Sequence, residues 1–129
     1  MPRLTPDLQA RFIQYRERPV DPSQFVDSVK HPDGVKRSMP YVDTLAEAHG
    51  VLFLCPKCYV ANGGDVGTHP VICWFTGKVP DYASPGPGRW NPQGTGLIDL
   101  TFVPGVKSCS VAIIGGCEWH GFVTNGRAD

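Results

Sequence analysis

Two short motifs in this chain combine thiol and imidazole side chains at a spacing suited to a metal ion. Cys55 and Cys58 stand in the stretch LCPKC, and Cys117 and His120 stand in GCEWH. Two intervening residues allow one tight turn to present both side chains to the same ion. Together the four make a Cys₃His set, and soft thiolates with one imidazole suit Zn²⁺ better than Mg²⁺ or Ca²⁺. We therefore predict one structural Zn²⁺ on these four residues.

The two motifs are far apart in the chain, since residues 59–116 lie between them. That gap is much longer than in a short zinc finger, so the fold has to bring the two turns together. The alternative is that the cysteines are ordinary buried thiols and His120 an ordinary histidine. His69, in GTHP, could replace His120 as the fourth ligand, hydrogen-bond a ligand, or act as a base. The simplest interpretation of His69 is a histidine that closes a turn.

A loop rich in proline and glycine carries the other candidate functional residues. Arg89 and Trp90 stand in PGPGRW, and an arginine beside a tryptophan can recognise a carboxylate, a phosphate or the face of a base. The same pair can also simply cover the edge of an apolar core. Arg89, Trp90 and His69 form the predicted ligand or partner surface. His69 and Asp99 are the catalytic candidates of an alternative zinc-dependent hydrolase that also uses Arg89.

Motifs that define several enzyme classes do not occur in the sequence. A zinc deaminase needs His-x-Glu and Pro-Cys-x-x-Cys, whereas here the proline lies between the cysteines. There is also no His-Glu-x-x-His and no Gly-x-Ser-x-Gly, and GPGRW lacks the Lys-Ser/Thr of a phosphate-binding loop. Cys73 and Cys109 lie in or beside apolar runs and are predicted to be buried thiols rather than nucleophiles. These observations favour a protein that is not an enzyme.

The apolar runs that lead into both metal motifs predict β-strands. With 15 glycines and 13 prolines, the composition favours short elements joined by turns. The predicted fold class is mainly β, with α+β as the alternative: short antiparallel strands around a zinc-ribbon-like Cys₃His site. The predicted strands cover residues 51–54, 71–75, 97–103 and 110–114, with a short fifth in 119–123.

Two helices are predicted before the first metal motif. In residues 4–18, Thr5 suits an N-cap, Pro6 suits the first helical position, and Leu8, Phe12 and Tyr15 recur at helical spacing. Residues 43–50 contain a capping-box pattern and end in glycine, which indicates a second, short helix. The segment 19–40 has four prolines and reads as an irregular arm. We therefore divide the chain into an N-terminal helix and Pro-rich arm (1–40) and a zinc-binding β domain (41–129).

Size and charge set limits on location and partners. The chain has 129 residues, 12 basic and 12 acidic side chains, and no basic excess of the kind that nucleic-acid binding favours. No apolar run approaches the ~18 residues of a membrane span, and the first residues lack the apolar core of a signal peptide. We expect a cytoplasmic protein, where thiols stay reduced and five cysteines indicate metal binding or buried thiols.

The stretches LCPKCYVANGG, GTHPVICWF, PGPGRW, GTGLIDLTF and GCEWHGFVTNG resemble a set of uncharacterised small proteins of bacteriophages and prophages. Their ending is more distantly similar to predicted metal-binding proteins encoded beside bacterial ubiquitin-like conjugation genes. The resemblance implies a phage or mobile-element source, hence the cytoplasm of a bacterial host, and a metal site on Cys55, Cys58, Cys117 and His120. It implies no activity.

The function predicted from the sequence is that of a small zinc-binding accessory protein that acts without catalysis, with a host protein as its partner. The first alternative is the hydrolase described above. The second is a nucleic-acid-binding module that uses the N-terminal arginines and the Arg89-Trp90 loop.

Overall fold

The computed structural model describes residues 2–19, 35–86, 88–104, 109–113 and 116–129. In that part of the chain the fold is mainly β, as the sequence predicts, with one short helix. The elements in chain order are β1 (Arg11–Ile13), β2 (Arg16–Pro19), β3 (Val35–Ser38), β4 (Tyr41–Val42), β5 (Gly50–Leu54), α1 (Pro56–Asn62), β6 (Pro70–Trp74), β7 (Asn91–Gln93), β8 (Thr101–Val103), β9 (Val111–Ala112), β10 (His120–Gly121), β11 (Val123–Thr124) and β12 (Arg127–Ala128). Among the described residues, no helix combines the length and the apolar character that crossing a membrane requires.

The largest sheet is antiparallel and has the strand order β4-β1-β5-β6. Its central pair, β5 and β6, consists almost entirely of apolar residues, so side chains on both faces of the sheet are withdrawn from water. The register places Val51 opposite Cys73 and Phe53 opposite Val71. The predicted strands at 51–54 and 71–75 are therefore confirmed.

Two clusters of buried side chains cover the two faces of this sheet. The main core contains Val51, Phe53 and Cys73 on one face, together with Trp119 and Val123 from the C-terminal segment. The smaller cluster on the other face contains Ile13, Tyr15, Trp74 and Ala83. Trp119 packs in the main core. The C-terminal segment that carries Cys117 is therefore held against the sheet whose strand β5 leads into Cys55.

The predicted N-terminal helix over residues 4–18 is wrong. Residues 4–8 form a turn, and the chain continues as β1 and β2. Phe12 and Ile13 are adjacent in sequence and both are buried, because consecutive side chains of β1 point to opposite faces of the sheet and each face is covered by one of the two clusters. Pairing with two neighbouring strands overrides the weak local preference for helix. Most of the predicted arm (19–40) lies outside the described residues; its described end forms β3, which pairs with β2.

Three shorter predictions also need correction. Residues 43–49 form turns and bends and not a helix, and Gly50 begins β5. One of the two hydrogen bonds of a capping box is present, from Glu47 N–H to the Thr44 hydroxyl, and that hydroxyl donates to the Glu47 carboxylate. The predicted strand at 97–103 is reduced to β8, because residues 97–99 form a turn. The one helix of the described residues, α1, begins directly after Cys55, where the sequence predicted only a turn.

Candidate metal centre

Strands β5 and β6 bring Cys55 and His69 opposite each other. The backbone N–H of Cys55 donates to the carbonyl oxygen of His69 at 2.9 Å, which continues the β5–β6 ladder by one residue pair. Residues 56–68 leave the sheet as α1 and a turn, and then return to the point of departure. A histidine eleven residues after Cys58 is therefore next to Cys55 in space.

Helix α1 brings the side chain of Cys58 close to that of Cys55. Cys55 is the N-cap residue with an extended backbone, Pro56 occupies the first helical position, and Cys58 lies in the first turn. Gly63 ends the helix in the left-handed conformation, with φ 70°. The N-cap residue and the third helical residue face the same side of a helix end, so both sulfurs point to one place.

Four ligand atoms converge in this region: the sulfurs of Cys55, Cys58 and Cys117 and a ring nitrogen of His69 all lie within 4.8 Å of one another. The Cys55 and Cys117 sulfurs are 3.6 Å apart, and His69 Nε2 is 3.3 Å from the Cys117 sulfur. In a tetrahedral zinc site, bonds of about 2.3 Å to sulfur and about 2.0 Å to nitrogen separate two sulfurs by about 3.8 Å, and sulfur from nitrogen by about 3.5 Å. The four side chains therefore have the composition and the spacing to bind a metal ion.

The second ring nitrogen of His69 fixes which nitrogen is available to a metal. His69 Nδ1 lies 3.2 Å from the carbonyl oxygen of Pro70. Since a carbonyl oxygen can only accept, the neutral ring carries its proton on Nδ1 and directs the lone pair of Nε2 at the cluster, as a metal ion requires. A backbone carbonyl that orients the far nitrogen of an imidazole is a common feature of metal-binding histidines.

Cys117 reaches the cluster from a turn in the C-terminal segment. Gly116 and Glu118 on either side of it both have positive φ, 58° and 53° respectively. Lys57 of α1 donates from Nζ to the carbonyl oxygen of Cys117 at 2.6 Å, which links the two motifs outside the cluster. The next side chain, Trp119, is buried and packs edge-on against Phe53 with the ring centroids 6.1 Å apart. Trp119 therefore fixes the position of the turn that carries Cys117.

His120 is not part of this cluster, and His69 takes the fourth position that the sequence assigned to His120. His120 is exposed on β10, opposite Ala112 of β9, between the buried residues Trp119 and Gly121. Side chains alternate along an extended chain, so the residue after the buried Trp119 faces solvent. The Cys-x-x-His spacing consequently does not form one turn with two ligands. The geometry agrees with the alternative in which His69 replaces His120 as the fourth ligand.

The electrostatics of the cluster favour a thiolate at Cys117. Cys117 raises the pKa of His69 and so favours the imidazole that is protonated on both nitrogens. In that form Nε2–H donates to the Cys117 sulfur, which lowers the pKa of Cys117 to about 6, and the backbone N–H of Trp119 acts in the same direction. Burial raises the pKa of Cys55 to about 11, although the N–H groups of Cys58 and Lys57 oppose this effect. Without an ion, negative charge therefore concentrates on the more exposed sulfur. A divalent cation would favour the thiolate form at all three cysteines.

Arg89 has a structural role in the loop that contains it. Its guanidinium donates to the carbonyl oxygens of Pro80 and Ala83, both at 3.0 Å, and further donates to those of Pro85, Gly88 and Asp81. These bonds hold together a loop whose backbone has few regular partners. Because the guanidinium already donates to these loop carbonyls, Arg89 has few donors left for a ligand.

Trp90 and Asp99 also contact other residues of the fold, and neither belongs to the ligand cluster. Trp90 stacks on Phe102 at 5.8 Å and donates from its indole N–H to the carbonyl oxygen of Ser110 at 3.1 Å. Asp99 accepts from the backbone N–H groups of Thr95 and Gly96, and these bonds lower the pKa of its carboxyl group. The constellation of His69, Arg89 and Asp99 that the hydrolase alternative needs is not assembled.

The two remaining cysteines lie outside the cluster. Cys73 is fully buried in β6, as predicted, and burial raises the pKa of its thiol. Cys109 is only partly buried, at the edge of the main core.

Comparison with known proteins gives no match: no protein-family model, no curated protein and no solved structure matches this chain. The metal centre therefore rests on its own geometry, and the resemblance to phage and prophage proteins stays a prediction.

Proposed function

We propose that this protein binds one Zn²⁺ ion through Cys55, Cys58, His69 and Cys117, and that the ion is structural. The observation that carries the proposal is the convergence of three sulfurs and one oriented imidazole nitrogen within 4.8 Å. Three thiolates favour Zn²⁺ over Mg²⁺ and Ca²⁺, which prefer oxygen ligands. Four protein ligands complete the coordination sphere of a tetrahedral ion and leave no position for a reacting water.

A structural ion fits the position of the cluster in the fold. Two ligands lie at the β5–α1 junction, one precedes β6, and one belongs to the C-terminal segment. The ion would therefore join the central sheet to a segment whose own strands are only two residues long. Binding free energies on the order of 10 kcal/mol are typical of such sites in zinc-finger peptides.

We further propose that the protein acts by binding a partner protein and not by catalysis. Supporting this are the closed ligand set and the engagement of Arg89 and Asp99 in their own loops. Trp90, which the nucleic-acid alternative needs as a stacking platform, is half-buried and already stacks on Phe102 with one face of its indole. A phage or mobile-element origin, with a host protein as partner, belongs to the same proposal and rests on the resemblance alone.

The sharpest test compares the two histidines that compete for the fourth ligand position. His69→Ala should lower the zinc affinity by about 10- to 100-fold or more, because it removes a ligand, whereas His120→Ala should leave it unchanged. Zinc affinity is measured by competition with a chromophoric chelator. Substitution with Co²⁺ gives a second readout, since the visible absorption bands of tetrahedral cobalt change when a nitrogen ligand is replaced by water.

The matched variants make the result decisive in either direction. If His120→Ala loses zinc and His69→Ala keeps it, the ligand set proposed here is wrong. If purified protein binds no zinc even after refolding with the metal, the proposed function fails as a whole.

A further inference from the structure

A groove of about 530 Å³ runs beside the outer edge of the central sheet. One wall is β6 with the preceding His69, the other is β9 with its flanking residues Ser110 and Ile113, and Trp90 and the backbone of Gly86 and Gly88 close one end. Among the described residues, no aspartate, glutamate, lysine or arginine lines it, so its occupant is not selected by charge. What distinguishes it is the backbone of its two walls.

The outer edge of β6 has backbone groups without partners in the described part of the chain. The bonds from Cys55 N–H to His69 O and from Phe75 N–H to His49 O show that odd-numbered residues of β6 pair with β5. Even-numbered residues therefore direct N–H and C=O away from β5. Ile72 lies in the middle of this edge, and both of its backbone groups face the groove.

The edge of β9 that faces away from β10 is also without backbone partners among the described residues. Ile113 N–H donates to Trp119 O, so Ile113 and Val111 form the hydrogen-bonded pairs with the neighbouring chain. Ala112 lies between them, opposite His120, and its N–H and C=O point away from β10. Ala112 is exposed and borders the groove. Two open strand edges thus face one apolar groove.

At the closed end of the groove, Trp90 pairs with the outer edge of β6 as a residue of an additional strand would. Trp90 forms a parallel bridge with Phe75: its N–H donates to Trp74 O at 3.0 Å, and its carbonyl oxygen accepts from Thr76 N–H at 2.8 Å. Its indole then crosses to the other wall and donates to Ser110 O. The groove extends along the same edge of β6 from the point where Trp90 pairs with it. Backbone hydrogen bonding is therefore already the way in which this edge of β6 binds another segment.

We propose that the groove binds an extended segment of a partner protein, which adds as a strand between β6 and β9. The segment would satisfy the N–H and C=O of Ile72 on one side and of Ala112 on the other, and its apolar side chains would contact Trp90 and Ile113. Pro70 has no N–H and limits the paired length to about three residues, or about 10 Å. The inference rests on the proposed function and names the class of partner.

The test uses the zinc-loaded full chain, with zinc content measured first, and a short peptide of alternating valine and threonine with blocked ends. In ¹H–¹⁵N NMR spectra at millimolar peptide we expect saturable shifts at Ile72 and Ala112. Amide exchange at both positions should slow by about tenfold, because both N–H groups become hydrogen-bonded. The control peptide has N-methyl groups at alternate residues, so it keeps the side chains and loses the donors.

Ala112→Pro and Ile72→Pro complete the design, because each removes one N–H that faces the groove and none that pairs with β5 or β10. Each should weaken peptide binding by about three- to tenfold; Ala112 is exposed, so that variant is the safer of the two if Ile72→Pro fails to fold. The inference is overturned if the zinc-loaded protein shows no saturable change, or if the N-methylated peptide binds equally well. The inference is also overturned if amide exchange at Ile72 and Ala112 slows equally without peptide when the protein concentration is raised. That result would assign the groove to a second copy of this chain.

Discussion

The segments CPKC and CEWH have the same spacing in the sequence and take different conformations in the fold. The first begins a helix and supplies two ligands, Cys55 as N-cap residue and Cys58 in the first turn. The second forms a turn with positive φ at two residues and supplies only Cys117. Its histidine faces solvent, and its tryptophan enters the core.

The difference comes from the residues between the ligands. Pro56 has a fixed φ suited to the first helical position, so Cys58 follows at the distance of one helical turn. In CEWH the residue before the histidine is Trp119, and burying so large an apolar side chain is favourable enough to determine which way the chain faces. Two residues between potential ligands therefore do not by themselves indicate a metal motif. In CPKC the buried Pro56 begins a helix that brings Cys58 to the cluster, whereas in CEWH the buried Trp119 leaves His120 facing solvent.

The largest expected effect comes from the CPKC side. Cys58→Ser should abolish stoichiometric zinc binding and with it the folding free energy that the ion supplies. That energy is on the order of 10 kcal/mol in zinc-finger peptides and comparable to the total stability of a small domain. We expect loss of cooperative thermal unfolding, measured by circular dichroism, together with loss of zinc, measured by elemental analysis.

Cys109→Ser is the matched control for this variant, because Cys109 is also partly buried but lies outside the cluster. It should keep one equivalent of zinc and lose less than about 1 kcal/mol. A folded Cys58→Ser protein with a full equivalent of zinc would contradict the assignment of this ligand.

The next largest effect concerns the tryptophan of CEWH. Trp119→Ala should cost about 3–5 kcal/mol of folding free energy by opening a cavity in the main core, as measured by urea unfolding. It should also weaken zinc binding, because the turn of Cys117 loses the side chain that holds it. Trp119→Phe should cost clearly less: it keeps a ring against Phe53 and removes an indole N–H that has no hydrogen-bond partner among the described residues.

Equal losses in the alanine and phenylalanine variants would show that size and ring contact are not what positions this motif. The fold difference between CPKC and CEWH would then need another explanation.

The smallest effects test the backbone of the CEWH turn. Glu118 has φ 53°, where a residue with a Cβ is strained, so Glu118→Gly should stabilise the protein by up to about 1 kcal/mol. Gly116 has φ 58°, and a methyl group at its Cα would point into space that no described atom fills, so Gly116→Ala should destabilise the protein by about 1 kcal/mol through backbone strain alone. Glu118→Ala keeps the strain and serves as the control, with a change near zero. Chemical unfolding at saturating zinc measures all three, and a gain in Glu118→Ala equal to that of Glu118→Gly would refute the explanation by strain.

Periodicity and ligand chemistry predicted the mainly β fold, the β5 and β6 strands and three of the four cluster residues. The strands were predictable because GVLFL and PVICW are continuous apolar runs, which are buried on both faces wherever they pair. The cysteines were predictable because a Cys-x-x-Cys pair with a second motif of cysteine and histidine elsewhere in the chain is a typical set of zinc ligands.

The sequence analysis missed α1 and named His69 only as an alternative fourth ligand, for different reasons. The signal for α1 was present in PKCYVANGG, with proline at the first helical position and glycine at the end, but the metal spacing suggested a turn instead. His69 becomes a ligand only through the β5–β6 register, which sets it opposite Cys55. The error at residues 4–18 has a similar origin, since the pairing of β1 with β4 and β5 is a property of the whole sheet.

The uneven distribution of the ligands along the chain has a kinetic consequence. Three of them lie within residues 55–69, whereas Cys117 is 48 residues beyond His69 (117 − 69). Closing the longer loop costs about 1 kcal/mol more in chain entropy, so an incoming ion meets the local trio first and Cys117 last. Cys117 is also the ligand held by a strained turn and an exposed lysine contact. We expect zinc to exchange through this end of the site, so that Trp119→Ala accelerates removal by a chelator more than a substitution of any residue of α1 that is not a ligand.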